Sequence, residues 1–273
     1  MIKIFVDSAS SIRKDEAEKL GIELISIRIL LNNIDYEDGN LDIDDFYKVL
    51  MATKEFPKTS LPNLLNIEDR IRKELDEGNE VLVITLSSKI SGSNSAIKSL
   101  FDEDDKVYVY DALAAVGAER ILLYEALKYK DTKSMDEIIK ILDDLRSRIV
   151  TAAIPETLEY LYRGGRLSRT EYLLGSVLHI KPVIGFKEGG VHLIAKKLGL
   201  NKAKAYLRES LNDADLNYPI VPSYTYKDDN LKDVLKNVDD KIKAAMIDED
   251  NLTPSIAAHW GPNAFGFIYV KKK

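Results

Sequence analysis

The 273-residue chain contains no cysteine, so disulfides and thiolate metal sites are excluded outright. Its three histidines form no close pair and no HExxH, so no first-row metal site is expected. No stretch approaches the roughly 18 uninterrupted apolar residues of a membrane span. The opening MIKIFVDSAS has too short an apolar run for a signal peptide and leads directly into a strand-like pattern. A cytoplasmic protein with no stable membrane insertion is the expectation. Net charge is −6, and no long Lys/Arg stripe offsets it. Nucleic acid is therefore not an expected partner, because a binder of phosphate backbone presents a basic face. Lys271–Lys273 reads as a solvated tail. GxxxxGK[ST] and GxGxxG are absent, which removes both signature nucleotide-phosphate loops. The nucleophile elbow GxSxG is absent as well.

What is present suits a globular protein: 45% hydrophobic and 31% charged residues. The length favours two domains of ordinary size. Ile2 to Val6, Val81 to Leu86 and Val107 to Tyr110 are nearly continuous apolar runs, as expected of strands buried on both faces. Residues 24–31 read as another strand, followed by a turn at Asp38-Gly39-Asn40 and a helix after Asp42. Pro62 opens a helical stretch that stops at Gly78-Asn79, and residues 117–130 read as a helix. Ser134 with Glu137 forms a capping box, and Met135, Ile138, Ile139, Leu142, Leu145 and Ile149 recur at helical spacing. This alternation predicts an α/β N-terminal domain over residues 1–148 with a mainly parallel sheet.

The pattern changes after Val150. Helices at 155–162, 169–178, 202–211 and 230–247 intersperse with strands at 182–187, 191–195, 218–226, 255–258 and 266–270. Glu188-Gly189-Gly190 marks a hairpin. An α+β C-terminal domain over residues 149–273 is predicted.

Four segments carry candidate chemistry. In ITLSSKISGSNSAI (84–97) a buried strand ends in hydroxyls that lead into a helix. The unsatisfied N–H groups of a helix start favour an anion, and a serine N-cap explains the same residues as well. PKTSLPN (57–63) holds Thr59 and Ser60 between two prolines that restrict the backbone; it reads equally as a rigid loop. In AAHWGPNAFG (257–266), His259 is a candidate anion donor or proton-transfer group. RGGRLS (163–168) places Arg163 and Arg166 around a helix break, where arginine suits carboxylates or phosphates but also helix C-termini. A Ser91–His259–Asp triad with Asp7 or Asp111 stays open, because triads are defined by geometry and not by order.

In order and spacing, FVDSAS, FPKTSLP, TLSSKISGSNSA, Asp111, YLYRGGRLS…LG…LHIKPVI and HWGPNAFG resemble the DegV family over about 260 residues. The resemblance implies an N-terminal α/β domain packed on a C-terminal domain with a split antiparallel sheet and helices on one side. It implies one long-chain fatty acid with its acyl chain in a buried tunnel, and no other cofactor. Its carboxylate would be held by Thr59, Ser91 and His259, with Ser60, Gly92, Ser93 and Asn94 beside them. The implied role is non-catalytic: the protein carries the fatty acid for a separate ATP-dependent fatty acid kinase subunit. That subunit phosphorylates the carboxylate, and the acyl phosphate feeds phospholipid synthesis. Arg163 and Arg166 are implied contacts of that kinase or its phosphates.

Some positions depart from the family pattern. TSLPN stands for TSQPS, Ala112-Leu113-Ala114-Ala115 for a serine-rich stretch, HWGPN for HxGPG, and KKLGLNKAK for an Arg-rich segment. Two alternatives therefore stand beside the carrier: a serine hydrolase of acyl esters using Ser91, His259 and an Asp, and a lipid-sensing interaction protein without a kinase.

Overall fold

Period-two alternation decides which face of each strand is buried against what. In the computed structural model, which describes residues 1–39, 42–53 and 55–273, four strands form a parallel sheet. Their order is Glu23–Ile25, Ile2–Asp7, Glu80–Thr85, Val107–Asp111. Phe5, Val81 and Val83 point to one face and pack on the helices Leu64–Asp76 and Ser93–Leu100. Ile4, Val6, Leu82 and Ile84 point to the other, against Gly117–Tyr129 and Met135–Arg148. The capping box at Ser134 and Glu137 is present.

Six strands form the second sheet, ordered Gly190–Leu198, Ile180–Lys187, Ile149–Ile154, Phe265–Val270, Val221–Tyr224, Asp250–Asn251. All neighbours are antiparallel except the final pair. Ala152, Ile154, Phe265, Phe267 and Tyr269 face the helices Leu200–Ser210 and Asp229–Leu235. Ala153, Ile268 and Val270 face the opposite way and join the core of the parallel sheet. The helix Gly117–Tyr129 thus lies between the two sheets. Its close approach requires glycine at its start: a Cβ on Gly117 would stand 2.8 Å from Val221 Cβ. Each large apolar side chain fully buried there contributes about 1.5–3 kcal/mol.

A third, three-stranded antiparallel sheet, ordered Ile34–Glu37, Arg28–Leu31, Lys58–Ser60, packs with the helix Ile43–Ala52.

The fold class agrees with the sequence reading, but several elements differ. The expected strand over 24–31 is two strands in two sheets. The chain turns between them, with Ile27 N–H donating to Ser8 Oγ. The expected strand at 255–258 is part of a helix, Pro254–Trp260, with proline in its first turn. Every residue from Pro254 to Ala258 is buried, and an apolar run buried all round has no period that tells strand from helix. The helix expected over 230–247 is two, because Asp239 caps a second start at Asp240–Lys243. The end of the 134–149 pattern runs straight into the strand Ile149–Ile154, which the periodicity concealed. Of the turn expected at 38–40, Asn40 lies outside the described residues; Gly39 has a φ of 82°.

Candidate functional site

Thr59 is brought to the site by strand pairing. Lys58–Ser60 lies antiparallel to Arg28–Leu31, with Thr59 opposite Ile29. Pro57 and Pro62 close off both ends of this short strand. Ser91 and Gly92 end the loop after Glu80–Thr85, at the C-terminal edge of the parallel sheet, where α/β folds bind ligands. His259 projects from the last turn of Pro254–Trp260.

These segments converge on one cavity of about 470 Å³, lined by residues from both halves of the chain. Thr59, Ser60, Ser91, Gly92, His259, Arg166 and Ser255 supply its polar lining. The remaining wall is apolar: Ala9, Ile27, Leu61, Leu86, Ile90, Ala115, Leu161, Phe186, Val191, Ile256 and Trp260. Among the described residues, Arg166 is the sole formally charged side chain on that wall.

Thr59 Oγ1 and His259 Nε2 are 2.9 Å apart. Among the described residues, buried His259 Nδ1 meets no partner. Burial first, and then the nearby Arg166 cation, push the imidazole pKa down to about 3, so the ring is neutral near pH 7. Arg166 donates from Nε to Ile90 O at 2.9 Å and from Nη1 to Gly164 O. These bonds fix a half-buried guanidinium whose own pKa burial lowers.

Ser91 Oγ accepts from Ser93 N at 3.2 Å and lies 3.1 Å from Ser93 Oγ. It therefore serves as a local cap while also lining the cavity. Ser93 and Asn94 do not line the cavity. Both are buried behind it, and Asn94 Nδ2 donates to Thr85 Oγ1 at 2.9 Å. Arg163 lies outside too: it pairs with Glu159 at 2.7 Å and stacks 4.3 Å over the Phe56 ring. The two arginines of RGGRLS thus part company, because Arg166 N and Leu167 N fold back to Leu161 O.

Among the described residues, Ser91, His259 and an aspartate do not assemble into a triad. His259 Nε2 faces Thr59, its Nδ1 meets no carboxylate, and Ser91 Oγ faces Ser93. Asp7 instead accepts from Ala9 N at 3.0 Å and Leu86 N at 2.8 Å, holding two residues of the cavity wall. Asp111 accepts from Ser88 N and Leu113 N. Asp38 Oδ1 accepts from Ser255 N, again a wall residue. Burial pushes Asp7 and Asp38 up to about 6. Glu119, fully buried against Asp7, is raised well above the ordinary range by burial and by that neighbour. Among the described residues no cluster of acidic or histidine side chains would hold a metal ion, and no helix is long and apolar enough to cross a membrane.

Sequence reasoning missed the apolar wall and the buried acids behind it. Asp7 was named only as a candidate triad acid and not as a brace of the cavity wall, and Glu119 was visible only as one acidic position in an otherwise helical pattern.

Two departures from the family pattern find a place here. Leu61 adds apolar surface to the cavity and meets Gly92, where a Cβ would stand 3.4 Å from Leu61 Cδ2. Asn263 takes a φ of 60°, which asparagine tolerates better than most non-glycine residues.

Comparison with known proteins gives a consistent result. Residues 1–272 match the DegV family, described as a family of uncharacterised proteins. A DegV domain-containing protein of Clostridium perfringens is 28% identical, covering 99% of both chains. A protein of Thermotoga maritima named fatty acid-binding protein is 29% identical, covering 97% of this chain and 96% of its own. The solved structure of DegV, a fatty acid binding protein from Bacillus subtilis, superposes with a TM-score of 0.87 at 25% identity, covering 99% of both chains. With a match that runs almost from end to end, this chain belongs to the DegV family.

Proposed function

We propose that this protein binds one long-chain fatty acid, with the acyl chain in the apolar part of the cavity and the carboxylate at its polar end. The observation that carries this reading is the wall itself: mainly apolar, with hydroxyls, one neutral imidazole and one cation. Such a lining fits an amphipathic anion. Burying the chain contributes up to about 0.8 kcal/mol per methylene. The carboxylate cannot be left dry and unpaired, and each hydrogen bond to it contributes about 1.5–3 kcal/mol.

Thr59, Ser60, Ser91 and the Gly92 backbone are the head-group donors in this reading. A neutral His259 donates from Nε2 to Thr59 Oγ1, which leaves the Thr59 hydroxyl hydrogen free for the ligand. Arg166 supplies the counter-charge at the cavity wall, a place closer to the ligand than a purely external partner contact. Ser93 and Asn94 support Ser91 and the helix start from behind. The role is that of a carrier and not a catalyst. The carboxylate is presented to a separate kinase subunit, which phosphorylates it with ATP, and Arg163 on the outer surface is a contact for that subunit.

The test is the lipid bound as purified. Denaturation, extraction and mass spectrometry should recover a long-chain fatty acid, and the emptied protein should take up labelled palmitate or oleate. An empty extract together with no uptake would overturn the reading. Acyl phosphate formation with a supplied fatty acid kinase and ATP tests the carrier role. Binding without acyl phosphate would favour a lipid sensor that works without a kinase. Labelling of Ser91 by a fluorophosphonate would instead support a hydrolase.

A further inference from the structure

Among the described residues, two cavities meet at a single side chain. Phe186 lines the cavity described above together with Leu86, Ala115 and Val191. It also lines a second cavity of about 350 Å³, whose wall includes Ala112–Ala114, Arg146 and Thr151. The consecutive residues Ala114 and Ala115 fall on opposite sides. Phe186 and the backbone at Ala114-Ala115 therefore form part of the partition between them. The ring is half-buried, on a hairpin strand opposite Val191, so it is held by packing and not by any hydrogen bond.

The two spaces differ in chemistry. The first cavity is mainly apolar. Beyond it the second presents Asp143, Arg146 and Thr151. Arg146 is committed to Asp111 O at 2.7 Å and Asp143 at 2.9 Å, whereas buried Thr151 Oγ1 meets no partner among the described residues. A methylene pushed past Phe186 would dehydrate these groups without replacing their hydrogen bonds.

We propose that Phe186 is the stop that sets the longest acyl chain this protein accepts, with the second cavity as the space it closes off. The proposal rests on the fatty-acid reading above. Each further buried methylene is worth about a fourfold gain in affinity, from about 0.8 kcal/mol. In the wild type, affinity should rise by that factor per methylene, about sixteenfold for each two-carbon step of the saturated series, until the chain end reaches Phe186, and then level off or fall.

The experiment measures dissociation constants for myristic, palmitic, stearic, arachidic and behenic acids with the wild type, Phe186→Ala and Phe186→Trp. Thermal melts confirm that each variant is folded. Phe186→Ala should move the optimum to a longer acid. Phe186→Trp should move it to a shorter one. The same chain-length profile in all three folded proteins would overturn the proposal while leaving fatty-acid binding intact. No binding of any acid by the wild type would overturn both. If Phe186→Ala fails to fold, the direction of the Phe186→Trp shift decides: no shift, or a shift to longer acids, overturns the stop.

Discussion

Thr59 and His259 are 200 positions apart in the chain, yet Thr59 Oγ1 and His259 Nε2 lie 2.9 Å from each other. One comes from the edge of the small antiparallel sheet and the other from the helix before the last strand. Their contact ties the first part of the chain to the second at the polar end of the cavity. It also sets the chemistry there: a neutral, half-buried imidazole steadies a hydroxyl and adds no competing charge.

Replacing Thr59 with valine keeps the shape and removes the hydroxyl. Loss of one hydrogen bond to a carboxylate costs about 1.5–3 kcal/mol, a drop of roughly tenfold to a hundredfold in fatty-acid affinity. His259 would lose its partner at Nε2, so the ligand-free protein should also lose about 1 kcal/mol of stability. Displacement of a fluorescent fatty acid and thermal melts read the two effects separately. Unchanged affinity would remove Thr59 from the head-group contacts.

Stability should depend on pH in an unusual direction. Burial raises Asp7, Asp38 and Asp250 from an ordinary 3.8 to about 6, and raises Glu119 well above its ordinary range. Each group binds its proton more tightly in the folded state. Its contribution is therefore complete below the unfolded value and is lost as the pH rises through the folded one. His259 has the opposite sign. Its contribution is complete above about 6.5 and is lost as the pH falls toward about 3. Each fully shifted group changes stability by about 1.4 kcal/mol per pH unit. Between about pH 4 and pH 6 several carboxyls oppose one histidine, so the net slope follows the carboxyls. The melting temperature is expected to be higher near pH 5 than near pH 7.5, with Glu119→Gln flattening the alkaline side. A melting temperature that rises steadily from about pH 5 to pH 7.5 would mean these acids are not held protonated.

The sequence made the polar side of this site legible, because hydroxyls at a strand end, prolines around a Thr-Ser pair and an isolated histidine all break the local pattern. The apolar side was not legible. Leu86, Ala115 and Val191 line a cavity, yet in sequence they look like any other core residue, since period and composition report burial and not what a side chain is buried against. His259 was expected after a strand, although Pro254 at the first turn was the available signal for a helix. The inward position of Arg166 depends on the fold-back of its backbone to Leu161, a tertiary feature with no local signature. The Asp7–Glu119 pair was hidden for a similar reason: its partners are 112 positions apart and meet only because one helix lies between two sheets.

Asn263 offers a test of backbone tolerance near the site. Its φ is 60°, its N–H donates to Thr225 O, and its side chain donates to Glu156 at 2.6 Å. Thr225 Oγ1 also donates to Gly261 O at 2.7 Å, so this turn anchors the end of the helix that carries His259. Asn263→Gly should change stability by less than about 1 kcal/mol, because relief of the left-handed backbone offsets the lost side-chain bond. Asn263→Val should cost about 1–2 kcal/mol or more, since a β-branched residue resists this φ. Denaturant melts of the two variants provide the comparison. Equal stability would show that the turn changes its conformation on substitution.

Gly164 gives the sharpest separation of fold from site. Its φ is −70°, in the helical region, so alanine meets no backbone penalty there. A Cβ at this position would nonetheless stand 2.4 Å from His259 Nδ1 and 3.0 Å from Tyr160 O. The imidazole has to move, and with it goes the bond to Thr59. Gly164→Ala is therefore expected to lower fatty-acid affinity about tenfold or more through the lost head-group geometry. The double variant Gly164→Ala with Thr59→Val should lose little beyond Thr59→Val alone, because both act through the same contact. Additive losses would show that Gly164 acts by another route, such as displacement of Tyr160 or of the Arg166 bond to Gly164 O.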